Sequence, residues 1–147
     1  MRQLAYLVLI SVVLFSFSVG HARNTVIKAS IEEALAWGER EAVLNDSIDL
    51  YFGDQAHSAV EQSLGTYTAN RKTNSFNKGD QKACQWAFLS AMGVLQQRAV
   101  REGGNAIINI RSYYYKKEFS STTEFECGAG NVVAGVTMVG DVVRLAN

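Results

Sequence analysis

The sequence is poor in the residues that usually build metal and catalytic centres. Its 147 residues include two cysteines, two histidines and no proline. The absence of proline excludes slow prolyl isomerisation as a folding step. A closed zinc site needs three or four ligands, and two cysteines with His57, the one histidine after residue 22, do not supply them. We therefore expect no bound metal and no other cofactor.

The sequence also lacks an excess of either charge. Fourteen lysines and arginines balance 14 aspartates and glutamates. Nucleic-acid-binding domains usually carry a basic field, so we expect no nucleic-acid partner. An apolar content of 48% with 19% charged residues is typical of a folded protein, and this length is enough for one hydrophobic core.

The first 22 residues have the pattern of a secretory signal peptide. Arg2 supplies a positive start, residues 4–17 are nearly all apolar, and Gly20 and Ala22 are the small residues of a cleavage site. The apolar run is shorter than the roughly 20 residues of a spanning helix, which argues against a retained anchor. We predict cleavage near Ala22, a periplasmic or secreted protein, and no stable membrane span after cleavage.

The remaining residues are predicted to form one α+β domain, 48–147, preceded by an N-terminal helical segment, 23–47. A capping box that starts at Ser30 predicts a short helix in that segment. A long helix is predicted from Asp80, its N-cap, to a glycine stop at Gly103. Strand patterns dominate elsewhere, including residues 60–73, and the polar residues 70–79 are predicted to be an exposed connection. The expected fold is an antiparallel sheet covered by one long helix, with the short helix before it.

Helical spacing also divides the long helix into two faces. The apolar face is predicted to be buried and contains Cys84, Ala87, Phe88, Ala91, Val94 and Leu95. The polar face is predicted to be exposed and contains Gln81, Lys82, Gln85, Gln96 and Gln97.

Cys84 and Cys127 fall on apolar faces of the predicted helix and of a predicted strand. An oxidising compartment favours their pairing, and the bond would attach the helix to the sheet. Two buried thiols, or a redox or metal role, are the alternatives. Redox cysteines are usually close in sequence, and these two are far apart.

A contact surface is predicted at four aromatic residues. Tyr113, Tyr114 and Tyr115 are predicted to extend a strand with alternating side chains, where they could stack on bases or sugars or simply pack. Trp86 lies beside the apolar face of the helix and is the other candidate contact residue.

A weaker hypothesis assigns a hydrolase to His57 and Asp54. A general base needs a partner within hydrogen-bonding distance, and Asp54 is near in sequence. A histidine in a polar loop is more often solvated, and Ser58 has no nucleophile-elbow context. A small periplasmic metal- or ligand-binding protein is a further alternative.

Several motifs resemble those of the small exported YbjQ/RcsF-like domain family. They are Ala83-Cys84, the run Gly103–Ile110, the Glu126–Gly130 segment and Gly140 in a valine-rich strand. The resemblance covers about residues 48–145. It implies a helix and strand core on an antiparallel sheet, a cysteine pair like that of exported members, and homo-oligomerisation. Some members carry the label "excinuclease ATPase subunit", but this sequence has no G-x-x-x-x-G-K-[ST] motif.

The sequence therefore predicts a non-enzymatic, exported envelope protein. It would act through contacts with an envelope protein or a small ligand that the sequence does not identify. RcsF-like members sense envelope stress, so the resemblance implies a stress-related role, although this sequence has no lipidated cysteine after the cleavage region.

Overall fold

A computed structural model describes residues 22–41 and 43–147 of the chain. The predicted signal peptide, residues 1–22, lies outside this part except for Ala22. The strands are β1 (Asn24–Ser30), β2 (Asp49–Phe52), β3 (Val60–Asn74), β4 (Ala106–Ser112), β5 (Glu124–Gly130) and β6 (Val133–Leu145). The helices are α1 (Ile31–Arg40) and α2 (Asp80–Glu102), and Tyr114–Lys116 form a 3-10 turn.

The sheet is built around β6. One edge of β6 pairs with β3 along its whole length, and its other edge pairs with β4 and, near the β5–β6 turn, with β5. β1 is antiparallel to β5, whereas β2 is parallel to β4. The result is a mixed sheet that curls into a half-barrel, with strands contributing more of the structure than helices.

The predicted fold, an antiparallel sheet covered by one long helix, is wrong. The parallel pairing of β2 with β4 makes the sheet mixed, and the described residues form a mostly β half-barrel with two helices. The alternation of apolar and polar residues shows which faces of a strand are buried, but it carries no information on strand direction. Direction depends on pairing between segments that are distant in sequence.

The N-terminal segment belongs to the same sheet as the rest of the chain. β1 pairs with β5 from Asn24 opposite Gly130 to Ser30 opposite Glu124. Ser30 then caps α1, and its hydroxyl accepts a hydrogen bond from the backbone N–H of Glu33 at 3.2 Å. The predicted cap of this short helix is confirmed.

The long helix ends where the sequence predicts and begins with a different cap. Gly103 has a φ of 77°, in the left-handed region, and ends α2. The predicted N-cap Asp80 is wrong, because Gly79 occupies that position and Asp80 lies in the first turn. The Asp80 carboxylate instead binds the Arg23 guanidinium through two contacts, at 2.7 and 3.0 Å. This ion pair lowers the pKa of Asp80, chiefly through the hydrogen bond from Arg23.

The core lies between α2 and the inner face of the half-barrel. Phe88 of α2 is fully buried and stacks on Phe125 of β5, with ring centroids 4.2 Å apart. A disulfide joins Cys84 of α2 to Cys127 of β5, with a Cα–Cα distance of 5.9 Å. These cysteines are near Phe88 and Phe125, respectively, in the sequence. The cysteine pairing favoured by the sequence is therefore present, and it attaches α2 to β5.

The predicted exposure of Gln96 is wrong. Its side chain is 2% exposed and binds the connection between α1 and β2. Its carbonyl oxygen accepts from the backbone N–H of Asn45 at 2.9 Å, and its amide donates to the carbonyls of Asn45 and Ile48 at 3.0 Å each. A glutamine on the polar side of a helix is buried here because loop backbone groups satisfy it.

Replacing Gln96 with alanine is expected to lower the free energy of unfolding by about 1–3 kcal/mol. The substitution leaves backbone groups of Asn45 and Ile48 without their partner, and the loss of a partner for a part-buried polar group costs about this much. Urea denaturation measures the change. Gln97→Ala is the matched control, since Gln97 is exposed on the next position of α2. Equal midpoints for the two variants would contradict a structural role of the Gln96 hydrogen bonds.

Candidate functional site

An open groove of about 830 Å³ runs between α2 and the C-terminal half of β3. We call it the α2–β3 groove. One wall consists of Trp86, Leu89, Gly93 and Val94 of α2, and the other of Arg71, Lys72 and Thr73 of β3, with Lys78 from the following turn; Val43, Ser90 and Gln97 complete the lining.

Strand alternation determines which side chains of β3 face this groove. Ala69 is buried against the core, so Arg71 and Thr73, two and four residues later, lie on the same face of β3. Lys72 alternates to the other face, where its Cγ lies 3.1 Å from the position of a Cβ on Gly135. Arg71 is therefore the basic side chain of β3 on the α2 side.

A glycine keeps the middle of the groove open. A Cβ on Gly93 would have only the Val43 carbonyl oxygen within 4 Å, at 3.9 Å. A larger side chain at this position would extend from α2 into the free space. Glycine destabilises the interior of a helix. The helix itself therefore does not require Gly93, and the open space beside it is the feature that a larger residue would remove.

The groove combines one sign of charge with an apolar wall. Within the described part of the chain, its lining includes Arg71, Lys72 and Lys78 and no acidic residue. The Lys78 ammonium group donates to the Asn74 carbonyl oxygen at 3.1 Å, which fixes it near the end of β3. Such a groove attracts an anionic group and can pack an apolar one beside it.

Trp86, one of the predicted contact residues, lies at the groove and is also packed. It is half-buried, and its ring meets the ring of Trp37 on α1 edge-on, with centroids 4.5 Å apart. The Lys82 ammonium group lies 5.8 Å from the centroid of the Trp37 ring. Part of the Trp86 ring therefore supports the α1–α2 contact, and part is available to the groove.

The three tyrosines do not extend a strand, so their predicted alternation is wrong. β4 ends at Ser112, and Tyr115 takes a positive φ of 51° within the 3-10 turn. Tyr114 turns back onto β5, where a Cβ on Gly128 would collide with its ring and hydroxyl. Burial raises the pKa of Tyr114, and its hydrogen bond with Tyr115 acts in the same direction.

The tyrosines and Trp86 therefore belong to two different places. Tyr115 is 63% exposed and Tyr113 is 37% exposed, and the Tyr115 hydroxyl contacts Asn24 of β1. In the part of the chain that the structure covers, none of the three tyrosines lines the α2–β3 groove. The structure does not bring the four aromatic residues together into one surface.

His57 is exposed and lies apart from the groove. Its Nδ1 is 2.8 Å from the Ser58 carbonyl oxygen, and its ring meets Tyr51 edge-on at 5.5 Å. No hydrogen bond or ion pair between His57 and Asp54 occurs among the described residues. Those residues also contain no group of three or more histidines, cysteines or carboxylates arranged to hold a metal ion.

Sequence reasoning did not find the groove. Residues 60–73 were predicted to be a strand, in agreement with β3, but residues 70–79 were also predicted to be an exposed connection, and no groove was predicted beside them. Two signals point to it in retrospect. The stretch from Arg71 to Lys78 contains basic residues and no acidic one, and Gly93 is a glycine inside the pattern of a long helix.

No family model, curated protein or solved structure matches this chain. The resemblance to YbjQ/RcsF-like domains therefore stays a prediction. None of the helices in residues 22–41 and 43–147 is both long and apolar enough to cross a membrane. The Cys84–Cys127 disulfide is compatible with an exported protein.

Proposed function

We propose that this chain is an exported, non-enzymatic protein of the cell envelope that binds an anionic, partly apolar ligand or protein segment in the α2–β3 groove. The observation that carries the proposal is the lining of that groove. Arg71 of β3 and Lys78 of the following turn lie opposite an apolar wall of α2, and no acidic residue lines the groove in the described part of the chain.

The groove suits a ligand that has both an acidic group and an apolar part. An anion near Arg71 can accept charge-assisted hydrogen bonds from its guanidinium group, which are about twice as strong as neutral ones. The apolar part of the ligand would cover Val94 and the exposed part of Trp86. Burial of that apolar surface makes the binding free energy more favourable by about 25 cal/mol for each Å² removed from water.

Export to the periplasm is the compartment that the sequence supports. The signal-peptide pattern ends near Ala22, and a disulfide between distant cysteines is typical of an oxidising compartment. Among the described residues, His57 makes no hydrogen bond or ion pair with a carboxylate that could support general-base catalysis. The proposal therefore rests on the α2–β3 groove and not on His57.

Arg71→Ala and Gly93→Leu are expected to weaken ligand binding in the groove. The probe is anilinonaphthalene sulfonate, a fluorescent anion with an apolar ring system. Arg71→Ala removes a charge-assisted contact and should raise the dissociation constant about tenfold. Gly93→Leu places a side chain in the open space above α2 and should reduce binding at least as much. Fluorescence titration measures both effects.

Lys117→Ala is the control for these titrations, because Lys117 is exposed and does not line the groove. The urea midpoint of each variant establishes that it remains folded. Unchanged affinity in both groove variants, or an equal loss in Lys117→Ala, would show that the probe binds elsewhere and would contradict the proposed site.

A further inference from the structure

One end of the sheet carries three exposed apolar side chains. Phe76 is 62% exposed, Val132 is 60% exposed and Val133 is 47% exposed. Ser75 brings them together, since its backbone N–H donates to the Val132 carbonyl at 2.8 Å and its hydroxyl donates to the Gly130 carbonyl at 2.7 Å. We call Phe76, Val132 and Val133 the apolar tip.

Basic residues flank Phe76 in the sequence. The sequence from residue 71 to residue 82 contains Arg71, Lys72, Lys78 and Lys82, and Asp80 is its one acidic residue. Asp80 is already bound by the Arg23 guanidinium group. The whole chain has balanced charge, so residues 71–82 carry a local excess of positive charge.

The chain enters the domain beside the apolar tip. The Arg23 Nε donates to the Asn131 side-chain carbonyl at 3.1 Å, and the Arg23 carbonyl oxygen lies 3.1 Å from the position of a Cβ on Gly130. The residues that precede Arg23 in sequence include the apolar run 4–17. If that run stays attached, a membrane-binding segment joins the domain at the tip. If it is removed after Ala22, the new α-ammonium group adds another positive charge there.

We infer that the apolar tip inserts into the headgroup region of an anionic phospholipid bilayer. Phe76, Val132 and Val133 enter the boundary between headgroups and acyl chains, and the surrounding lysines and arginines contact the anionic headgroups. Apolar side chains with a cationic rim are typical of peripheral membrane contacts. The apolar contact is separate from the proposed groove ligand, since none of the three tip residues lines the α2–β3 groove in the described part of the chain, although Arg71, Lys72 and Lys78 belong to both surfaces.

Val132→Trp tests this insertion directly. The protein is produced in cells from the full chain, so that its N-terminus is the natural one, and is mixed with phosphatidylglycerol vesicles whose acyl chains carry bromine. The new tryptophan should be quenched by the bromine, and the quenching should weaken in high salt as the Debye length falls. Emission of the unsubstituted protein gives the contribution of Trp37 and Trp86.

Val60→Trp is the matched control, because Val60 is 44% exposed at the opposite end of β3. It should show no added quenching. Adding Phe76→Ser to Val132→Trp should raise the half-saturating lipid concentration about tenfold, because the partial burial of a phenylalanine is lost. Gly93→Leu should leave the quenching unchanged, which separates this contact from the groove.

Three results would overturn the inference. The first is an absence of added quenching at Val132→Trp, and the second is equal quenching at Val60→Trp. The third is a concentration-dependent dimer in light scattering that Phe76→Ser abolishes while vesicles give no quenching, since the tip would then be an interface between two copies of the chain.

Discussion

Phe88→Ala is expected to lower the free energy of unfolding by about 3–5 kcal/mol. The ring is fully buried, stacks on Phe125 at 4.2 Å between centroids, and lies 5.9 Å from the ring of Phe52. These three rings come from α2, β5 and β2, so the cavity would open where the helix meets distant parts of the sheet. Collapse of one element would not fill it, which places the cost in the upper part of the range for core truncations. Urea denaturation followed by circular dichroism measures it.

Phe76→Ala is the matched control for this substitution. It removes the same atoms from a side chain that is 62% exposed, so the free energy of unfolding should change by no more than about 0.5 kcal/mol. Similar urea midpoints for Phe88→Ala and Phe76→Ala would mean that the face of α2 that contains Phe88 is not buried. The comparison needs no assumption about the function of the chain.

Local chemistry predicted the features that depend on a few neighbouring residues. Gly103 ends α2 because a left-handed residue closes the helix, and its φ of 77° is the conformation that glycine adopts most easily. Ser30 caps α1 for an equally local reason. The burial of Phe88 followed from helical spacing alone. In each of these cases the sequence signal and the structural cause lie within about two helical turns.

The errors concern contacts between distant segments. The parallel pairing of β2 with β4 joins residues about 57 positions apart, such as Asp49 and Ala106, and alternation within either strand is the same for both directions. The tyrosine turn after Ser112 is a second case. Tyr114 leaves the strand path because its ring packs where Gly128 has no side chain. Gly128 belongs to β5, so the space that the ring fills depends on a segment distant from β4 in sequence.

Polar residues were the other source of error, because polarity does not by itself determine exposure. Gln96 is as buried as the core residues around it, since Asn45 and Ile48 present backbone groups that satisfy it. Arg71 and Lys72 are exposed, yet they belong to a paired strand and not to a loop. The candidate groove depends on how that strand packs beside α2, and the strand pattern of residues 60–73 carries no information on that packing.

Removal of the disulfide is expected to destabilise the protein by about 4 kcal/mol. Cys84 and Cys127 are 43 residues apart, and in the chain-entropy model a closed loop of this length restricts the unfolded chain by about that amount. The loop contains most of α2 and all of β4, so the bond limits the unfolded state over a large part of the domain. The variant that tests this is Cys84→Ala/Cys127→Ala. Alanine is chosen over serine because serine would place two hydroxyl groups in a fully buried site.

The urea midpoint of this double variant should match that of the reduced wild-type protein. Reductant should lower the wild-type midpoint and leave that of the double variant unchanged, which separates the loss of the bond from other effects of the reagent. Mass spectrometry of the exported protein without reductant should find the mass of two hydrogens missing. A double variant as stable as the oxidised wild type would show that the packing of α2 on β5 suffices to hold the helix to the sheet. The entropic account of the disulfide would then be wrong for this chain.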